Sequence, residues 1–175
     1  MNRRLRFSLL CLITGIGAIG IANGADPVTI NITGNVKAAP CVVDGASSVP
    51  VDLGEIPAPA LATVGSASGW KTFKLNLKDC PASTTKVIAG FKGSPDATNA
   101  KFYANAGTAG SNVAIELAED GTNINWLSNG VAMPVKVIAA THNAIFPFAV
   151  RANSVKGNVG PGTISAVIQV DFTYQ

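Results

Sequence analysis

The chain has 175 residues, a length typical of one domain, and 47% of them are hydrophobic while only 6% are aromatic. It carries 13 Lys and Arg residues against 10 Asp and Glu residues. Three of the basic residues, Arg3, Arg4 and Arg6, lie in the first 24 positions, where no acidic residue occurs, so the remainder has ten of each sign. Because residues 25–175 carry no net charge, a protein that binds nucleic acid or an anionic membrane surface is not indicated.

Residues 1–24 are typical of a secretory signal peptide. A basic start, an apolar run from Phe7 to Ile21 and the small residues Ala22-Asn23-Gly24 precede a cleavage site before Ala25. A membrane anchor is the alternative, but an apolar run of about 15 residues is shorter than the roughly 20 that a span needs. We therefore expect export of a mature chain that begins at Ala25 and has no membrane span.

Two cysteines, Cys41 and Cys80, remain after Cys11 is removed with the signal. An even pair in an oxidising compartment predicts one disulfide, and two free buried thiols are the alternative. The bridge would close a loop of about 40 residues.

Beyond residue 25 the sequence predicts strands and no helix of useful length. Segments rich in Val, Ile, Thr and Phe recur between Gly, Asn, Pro and Asp residues, a spacing typical of an all-β sandwich. Pro57 and Pro59 predict a loop or an edge crossing, because proline cannot donate to a central ladder. The predicted strands are Val28–Ala38, Val51–Leu53, Trp70–Lys78, Lys86–Phe91, Val113–Leu117, Val135–Ile138, Ala144–Ala152 and Thr163–Tyr174.

The C-terminal segment alternates between apolar and polar residues with a period of two. Such alternation predicts a strand with one face in the core. A closed immunoglobulin-like sandwich needs a further strand beside it, and the sequence offers none after Gln175. The predicted core-facing residues are Ile164, Ala166, Ile168, Val170, Phe172 and Tyr174.

The segment before Cys41 alternates in the same way and predicts a strand with no place in its own domain. An uncovered sheet edge with apolar side chains invites a strand from a partner. The two ends together predict that this segment completes the sheet of a neighbouring molecule. Its predicted inward-facing positions are Val28, Ile30, Ile32, Gly34 and Val36.

With these end segments and the cysteine pair, the chain resembles the chaperone–usher fimbrial subunits of type 1 pili, and among them the minor tip-fibrillum adaptors. Gly162 and the penultimate Tyr174 match the family's C-terminal recognition pattern. Further motifs that carry the resemblance are Pro40-Cys41, Val51-Asp52-Leu53-Gly54, Ser66-Ala67-Ser68-Gly69-Trp70, Asp79-Cys80-Pro81, Phe146-Pro147, Val150-Arg151-Ala152 and Gly162-Thr163-Ile164.

The resemblance implies an incomplete immunoglobulin-like sandwich, the pilin fold that lacks its last strand. It implies a signal peptide at 1–24, a donor-strand extension at 25–40 and a pilin domain at 41–175. The implied partners are neighbouring pilin subunits, a periplasmic chaperone and an outer-membrane usher, on the route to a surface fimbrium that serves cell adhesion. The extension without an additional N-terminal domain favours an adaptor subunit, and a major rod pilin is the alternative.

The resemblance also implies roles for the end segments. Residues 26–38 would fill a neighbour's groove, with Gly34 at a point where the groove floor comes close; a bulge or twist glycine is the alternative. The acceptor groove and chaperone-recognition residues would be Gly162, Ile164, Ala166, Ile168, Val170, Phe172 and Tyr174.

Catalytic and metal-binding patterns are weak in this sequence. The single histidine, His142, lies in a polar turn, no Gly-x-Ser-x-Gly motif occurs, and a Cys41–Cys80 bridge leaves no metal set. We expect a protein that is not an enzyme and needs no metal or cofactor. Trp70 and Trp126 leave a secreted carbohydrate-binding module as the alternative function.

Overall fold

The computed structural model describes residues 28–121 and 125–175, so the predicted signal peptide at 1–24 lies outside the described residues. The described chain consists of short strands joined by turns, with two short 3-10 helices, Ala58–Leu61 and Gly110–Asn112. The strands are β1 Val42–Asp44, β2 Lys71–Lys78, β3 Lys86–Lys92, β4 Tyr103–Ala104, β5 Val113–Glu119, β6 Ala132–Lys136, β7 Ala144–Ser154 and β8 Gln169–Tyr174.

The strands form two antiparallel sheets. One sheet has five strands in the order β1-β2-β7-β5-β4, and the other has three strands in the order β6-β3-β8. The predicted all-β, immunoglobulin-like sandwich is confirmed. Strand β8 lies at an edge of the smaller sheet, where it pairs with β3.

The chain divides into two compact units, one that ends at Asn35 and one that spans Val36–Gln175. In the first unit, residues 28–35 form no strand, and Val28, Ile30 and Ile32 are exposed over 78–90% of their surface. The second unit holds all the strands named above and the hydrophobic core.

The core arises from period-two alternation in the long strands. In β3, the alternate residues Val87, Ala89 and Phe91 are buried. Phe148 of β7 contacts Phe91 from the opposite sheet with ring centroids 5.7 Å apart and perpendicular planes, a favourable arrangement for aromatic pairs. Facing aromatic side chains thus join the two sheets.

Several predicted strands differ from those observed. Residues 28–38 and 51–53 form no strand, because a strand is defined by a hydrogen-bonded neighbour and these segments have none in the described structure. Of Thr163–Tyr174, only Gln169–Tyr174 is a strand. The short strands β1 and β4 were not predicted.

Strand β6 begins and ends earlier than predicted, at Ala132–Lys136 instead of Val135–Ile138. Pro134 lies within β6, where it is tolerated because β6 is an edge strand and the missing N–H can face away from the ladder.

The predicted disulfide is present, since Cys41 and Cys80 are bonded across a separation of 39 residues. It joins the residue before β1 to the end of β2, and both cysteines are buried. In the described parts of the chain, no helix is long and apolar enough to cross a membrane.

Candidate functional site: the open edge beside β8

The C-terminal strand β8 offers a free edge. It pairs with β3 from Gln169↔Lys92 to Tyr174↔Val87, and Gln175 extends the contact by donating its backbone N–H to the Lys86 carbonyl. Among the described residues, β3 is the strand with which β8 pairs, so the other edge of β8 is available for a further strand.

The side chains that face the core from the C-terminal segment are only half covered. They pack against the main hydrophobic cluster, yet each is of intermediate exposure, whereas the matching residues of β3 are at most 1% exposed. The difference follows from position, because β3 has a neighbour on both sides and β8 on one. The half-covered residues are Ile164, Ala166, Ile168, Val170, Phe172 and Tyr174.

A second segment contributes half-covered apolar side chains to the same core. Val51 and Leu53 pack against the main cluster, and Leu53 shares a smaller cluster with Ile164. In the described structure, residues 45–56 take part in no backbone–backbone hydrogen bond. We use the name open edge for the core-facing residues of the C-terminal segment together with Val51 and Leu53.

The first half of the C-terminal segment does not follow β8 along the smaller sheet. The Ser165 carbonyl accepts a hydrogen bond from Ala106, and the Thr163 carbonyl accepts one from Ala109. The segment therefore begins beside the loop that follows β4, at the edge of the larger sheet, and only from Gln169 joins the smaller one.

The opposite face of β8 is polar and fixed by short contacts. The Lys92 ammonium lies 2.5 Å from an Asp171 carboxylate oxygen, and Gln169 donates to the other oxygen at 2.9 Å. The hydrogen bond from Lys92, followed by that from Gln169, lowers the pKa of the Asp171 carboxyl. Burial raises the pKa of the Tyr174 phenol. The strand thus presents an apolar and a polar face, as the alternation predicted.

The predicted donor residues lie in or next to the first unit, and their side chains are exposed. Val28, Ile30, Ile32 and Val36 are each at least 78% exposed, and no atom lies within 4 Å of a Cβ built on Gly34. Single exposed apolar residues are ordinary in proteins. Four exposed apolar residues at alternating positions, in a segment without a strand partner, indicate a sequence suited to strand addition.

The two tryptophans are held in place by charged side chains. The Arg151 guanidinium lies over the Trp70 ring at 4.2 Å, and the Lys101 ammonium lies 4.5 Å from the Trp126 centroid. Trp126 also donates its indole N–H to the Glu116 carboxylate at 2.8 Å. Both rings thus carry a cation on a face that a sugar would need for stacking, which weakens the carbohydrate-binding alternative.

Glu116 and His142, which could carry chemistry, both have structural partners. Glu116 is 2% exposed and pairs with Arg151, whose Nε lies 2.5 Å from its carboxylate. His142 adopts a φ of 56° in a turn, and its Nδ1 lies 3.0 Å from the Cys80 carbonyl oxygen. Buried charges in proteins are normally paired in this way.

The sequence predicted the core-facing residues of the C-terminal segment, but two other parts of the candidate site were not predicted. Val51 and Leu53 were predicted as a strand and not as part of the edge; their signal is the apolar alternation at 51 and 53. Asn105 and Thr108, which bond to the C-terminal segment, were not singled out. The run Asn105-Ala106-Gly107-Thr108 predicts a turn and nothing more specific.

Comparison with known proteins identifies the family to which this architecture belongs. A family model described as "Fimbrial protein" matches residues 30–175. The chain belongs to this family. Protein FimG of Escherichia coli K12 is 40% identical over 150 residues, which cover 86% of each chain. The S-fimbrial adhesin protein SfaS of Escherichia coli O6:K15:H31 is 38% identical over 172 residues, 97% of this chain and 99% of SfaS.

A solved structure supports the same assignment at the level of the fold. The P pilus rod subunit PapA superposes with a TM-score of 0.61 at 19% identity, over 84% of this chain and all of PapA. The predicted membership of the chaperone–usher fimbrial subunits is confirmed: the chain is a fimbrial subunit of chaperone–usher pili.

Proposed function

We propose that this subunit polymerises by donor-strand complementation, with residues 28–36 as donor and the open edge as acceptor. The observation that carries the proposal is the incomplete burial of the core-facing residues of the C-terminal segment beside the free edge of β8. A strand added there pairs with β8 through backbone hydrogen bonds and covers the apolar side chains.

The donor segment has the composition that such an edge needs. Burial of Val28, Ile30, Ile32 and Val36 in a neighbour contributes roughly 6–12 kcal/mol, at about 1.5–3 kcal/mol for each side chain. Their exposure in the single chain means that nearly all of this apolar surface is available for burial. Gly34 leaves room for a close approach of the groove floor.

We propose that the chain is exported with cleavage before Ala25, bound by a periplasmic chaperone, passed to an outer-membrane usher and built into a surface fimbrium. Before assembly the chaperone covers the open edge, and Gly162 to Tyr174 form the segment that it recognises. An apolar edge left uncovered in the periplasm would associate with other exposed strands. This route gives the edge a cover at each stage.

Within the fibre, we propose an adaptor position between tip adhesin and shaft. The sequence likeness to minor tip-fibrillum subunits and the 40% identity to FimG support this proposal. An adaptor joins different subunits, whereas a rod subunit accepts its own kind repeatedly. Mixtures of this chain with each sister subunit should therefore give defined heterodimers. Long homopolymers of the chain alone would instead indicate a rod pilin.

The two ends should perform separable tasks, which a pair of matched substitutions tests. Ile32→Asp places a carboxylate where a dry pocket is expected, and burial of an unpaired charge is costly. This variant should be exported and bind the chaperone normally but fail to donate to an acceptor subunit. Ile168→Asp, in the acceptor wall, should instead lose the chaperone complex and be degraded in the periplasm.

The measurement is co-purification with the chaperone, followed by strand exchange against an acceptor subunit. Ile32→Asn is the control, because it is polar without a charge and should reduce donation less than Ile32→Asp. If Ile32→Asp abolishes chaperone binding and spares exchange, the assignment of donor and acceptor ends is wrong.

A further inference from the structure

The C-terminal segment starts with a reciprocal set of hydrogen bonds to the loop after β4. The Thr163 N–H donates to the Thr108 hydroxyl at 2.8 Å, and the Thr108 N–H donates to the Thr163 hydroxyl at 3.0 Å. Each threonine hydroxyl thus accepts the backbone N–H of the other residue, and the two hydroxyl oxygens are 3.1 Å apart. We call Asn105, Thr108 and Thr163 the clasp.

Asn105 completes the clasp with all of its side-chain hydrogen-bonding groups. Its Oδ1 accepts from the backbone N–H groups of Gly107 and Ser165 at 2.9 and 2.8 Å. Its Nδ2 donates to the carbonyls of Gly107 and Gly110 at 3.3 and 3.0 Å. A side-chain amide with both donors and its acceptor satisfied is fixed in orientation, so Asn105 holds Ser165 in one place.

Two glycines allow the loop and the segment to approach this closely. A Cβ on Gly107 would lie 2.1 Å from the Thr163 carbonyl oxygen, and a Cβ on Gly162 would lie 2.5 Å from the Ala109 nitrogen. Neither position requires a left-handed backbone. Both need glycine because a second backbone occupies the space of a side chain.

Ile164 lies between the two residues of the segment that bond to the loop. Its side chain packs against the small cluster that contains Leu61 and Val159. Leu53, from the other side of the open edge, packs against the same cluster. The clasp therefore anchors one wall of the open edge beside a residue of the other wall.

We propose that the clasp is a positioning device that keeps the open edge ready for an incoming strand. Without it, the half-covered side chains of Ile164, Ala166 and Ile168 could gain burial by moving onto residues 51–56 once the covering chaperone strand withdraws, and an incoming strand would first have to separate them. Anchoring of the acceptor backbone removes this cost from the binding step. The proposal rests on the acceptor role proposed above and assigns a specific task to Asn105, Thr108 and Thr163.

The test uses the mature chain in complex with its periplasmic chaperone and a fluorescent donor peptide. The candidate peptides are residues 25–38 of this chain and the matching segments of sister subunits. The peptide that the wild-type chain takes up fastest is used for the comparison. The double variant Thr108→Val with Thr163→Val keeps the side-chain shapes and removes both hydroxyls. Its peptide uptake should be about tenfold slower, since loss of one or two hydrogen bonds lowers the population of the anchored arrangement that accepts the strand by about that factor.

The control is Thr108→Ser with Thr163→Ser, which keeps the hydroxyls and should take up the peptide at nearly the wild-type rate. Equal slowing in both double variants would overturn the proposal, because the hydroxyls would then not be the cause. Wild-type speed in the valine variant would also overturn it while leaving the acceptor role intact. Failure of wild type to take up any of the peptides would instead contradict the acceptor role itself.

A measurement on the wild-type chain covers the case in which the valine variant does not fold. Hydrogen exchange should find the backbone amides of Thr108, Thr163 and Ser165 protected before any donor peptide is added. Rapid exchange at these amides in the donor-free subunit would show that the clasp is not formed when the strand arrives, and would refute the proposal.

Discussion

At the scale of single residues, Tyr103 shows how one side chain ties distant parts of the domain together. It is 1% exposed, and its hydroxyl donates to the Leu127 carbonyl at 2.6 Å. A Cβ on Gly93 would lie 2.7 Å from its ring, so only glycine fits at that position beside it. Tyr103 also forms β4 with Ala104, directly before the clasp loop.

The buried phenol predicts a loss of stability in alkali. Burial raises the pKa of Tyr103 from 10.0 to about 12, so the folded state binds this proton more tightly than the unfolded state. The resulting stabilisation is complete below pH 10 and should be lost as the pH rises from 10 towards 12. Urea unfolding at a series of alkaline pH values measures the loss.

Tyr103→Phe is the matched variant for this titration. It should lower stability at neutral pH by about 1 kcal/mol, because the Leu127 carbonyl loses its donor. It should also flatten the alkaline decline. The part that remains includes Tyr174, whose pKa is raised by burial, and Lys78, whose pKa is raised by its hydrogen bond with Asp44. An unchanged alkaline decline in Tyr103→Phe would show that Tyr103 is not its source.

At the scale of secondary-structure elements, the C-terminal segment belongs to both sheets. Its first half bonds to residues 105–109 at the edge of the larger sheet, and its second half is β8 of the smaller sheet. Phe172 of β8 contacts Phe146 of β7 with ring centroids 5.4 Å apart, which joins the sheets near the open edge. One segment therefore connects the two sheets and forms one wall of the candidate site.

The disulfide is a second link between elements, and its removal should be costly. It connects the start of β1 to the end of β2 over 39 residues. The bridge lowers the conformational entropy of the unfolded chain. Replacing both cysteines by alanine should therefore lower the free energy of unfolding by about 4 kcal/mol. Chemical denaturation of the double variant and of wild type, each with a donor strand bound, measures the difference.

The single variants serve as controls for that experiment. Cys41→Ala and Cys80→Ala each remove the same bridge, so they should destabilise the protein about as much as the double variant, not half as much. A double variant as stable as wild type would show that the bridge does not constrain the unfolded chain.

At the scale of the whole molecule, the open edge leaves part of the hydrophobic core uncovered. The apolar residues of the open edge are half exposed while the centre of the same cluster is fully buried. Exposed apolar surface beside an unpaired strand edge favours association between copies. The single subunit is thus expected to be less stable than the subunit in its fibre.

A donor segment supplied in cis should correct this. Fusion of a sister subunit's donor segment after Gln175, through a flexible linker, should give a stable monomer with a higher melting temperature. The gain in unfolding free energy should be several kcal/mol, since about four apolar side chains become buried. Light scattering and thermal unfolding measure the two effects.

The matched control for the fusion carries aspartate at two of the inward-facing donor positions and should give no gain. A chain that lacks residues 25–38 and any added segment tests the premise. If that chain is monomeric and as stable as the fusion, the domain is complete without a donor and the proposed mechanism is wrong.

The sequence by itself determined the features that depend on local periodicity and covalent chemistry. Alternation predicted the faces of the segment from Ile164 to Tyr174 correctly, since successive residues in extended chain point to opposite sides whatever the neighbours are. The cysteines predicted the bridge between Cys41 and Cys80, because loss of Cys11 with the predicted signal peptide would leave one possible pairing.

Only the tertiary structure decided which backbones meet. Alternation shows that Thr163 and Ser165 share a face, but not that this face bonds to Asn105 and Thr108, which lie 55 to 60 residues earlier. It also predicted a strand at 28–38, where the single chain forms none. The reason is that a strand needs a hydrogen-bonded neighbour, and neighbours come from remote parts of the chain or from another molecule, which local periodicity does not specify.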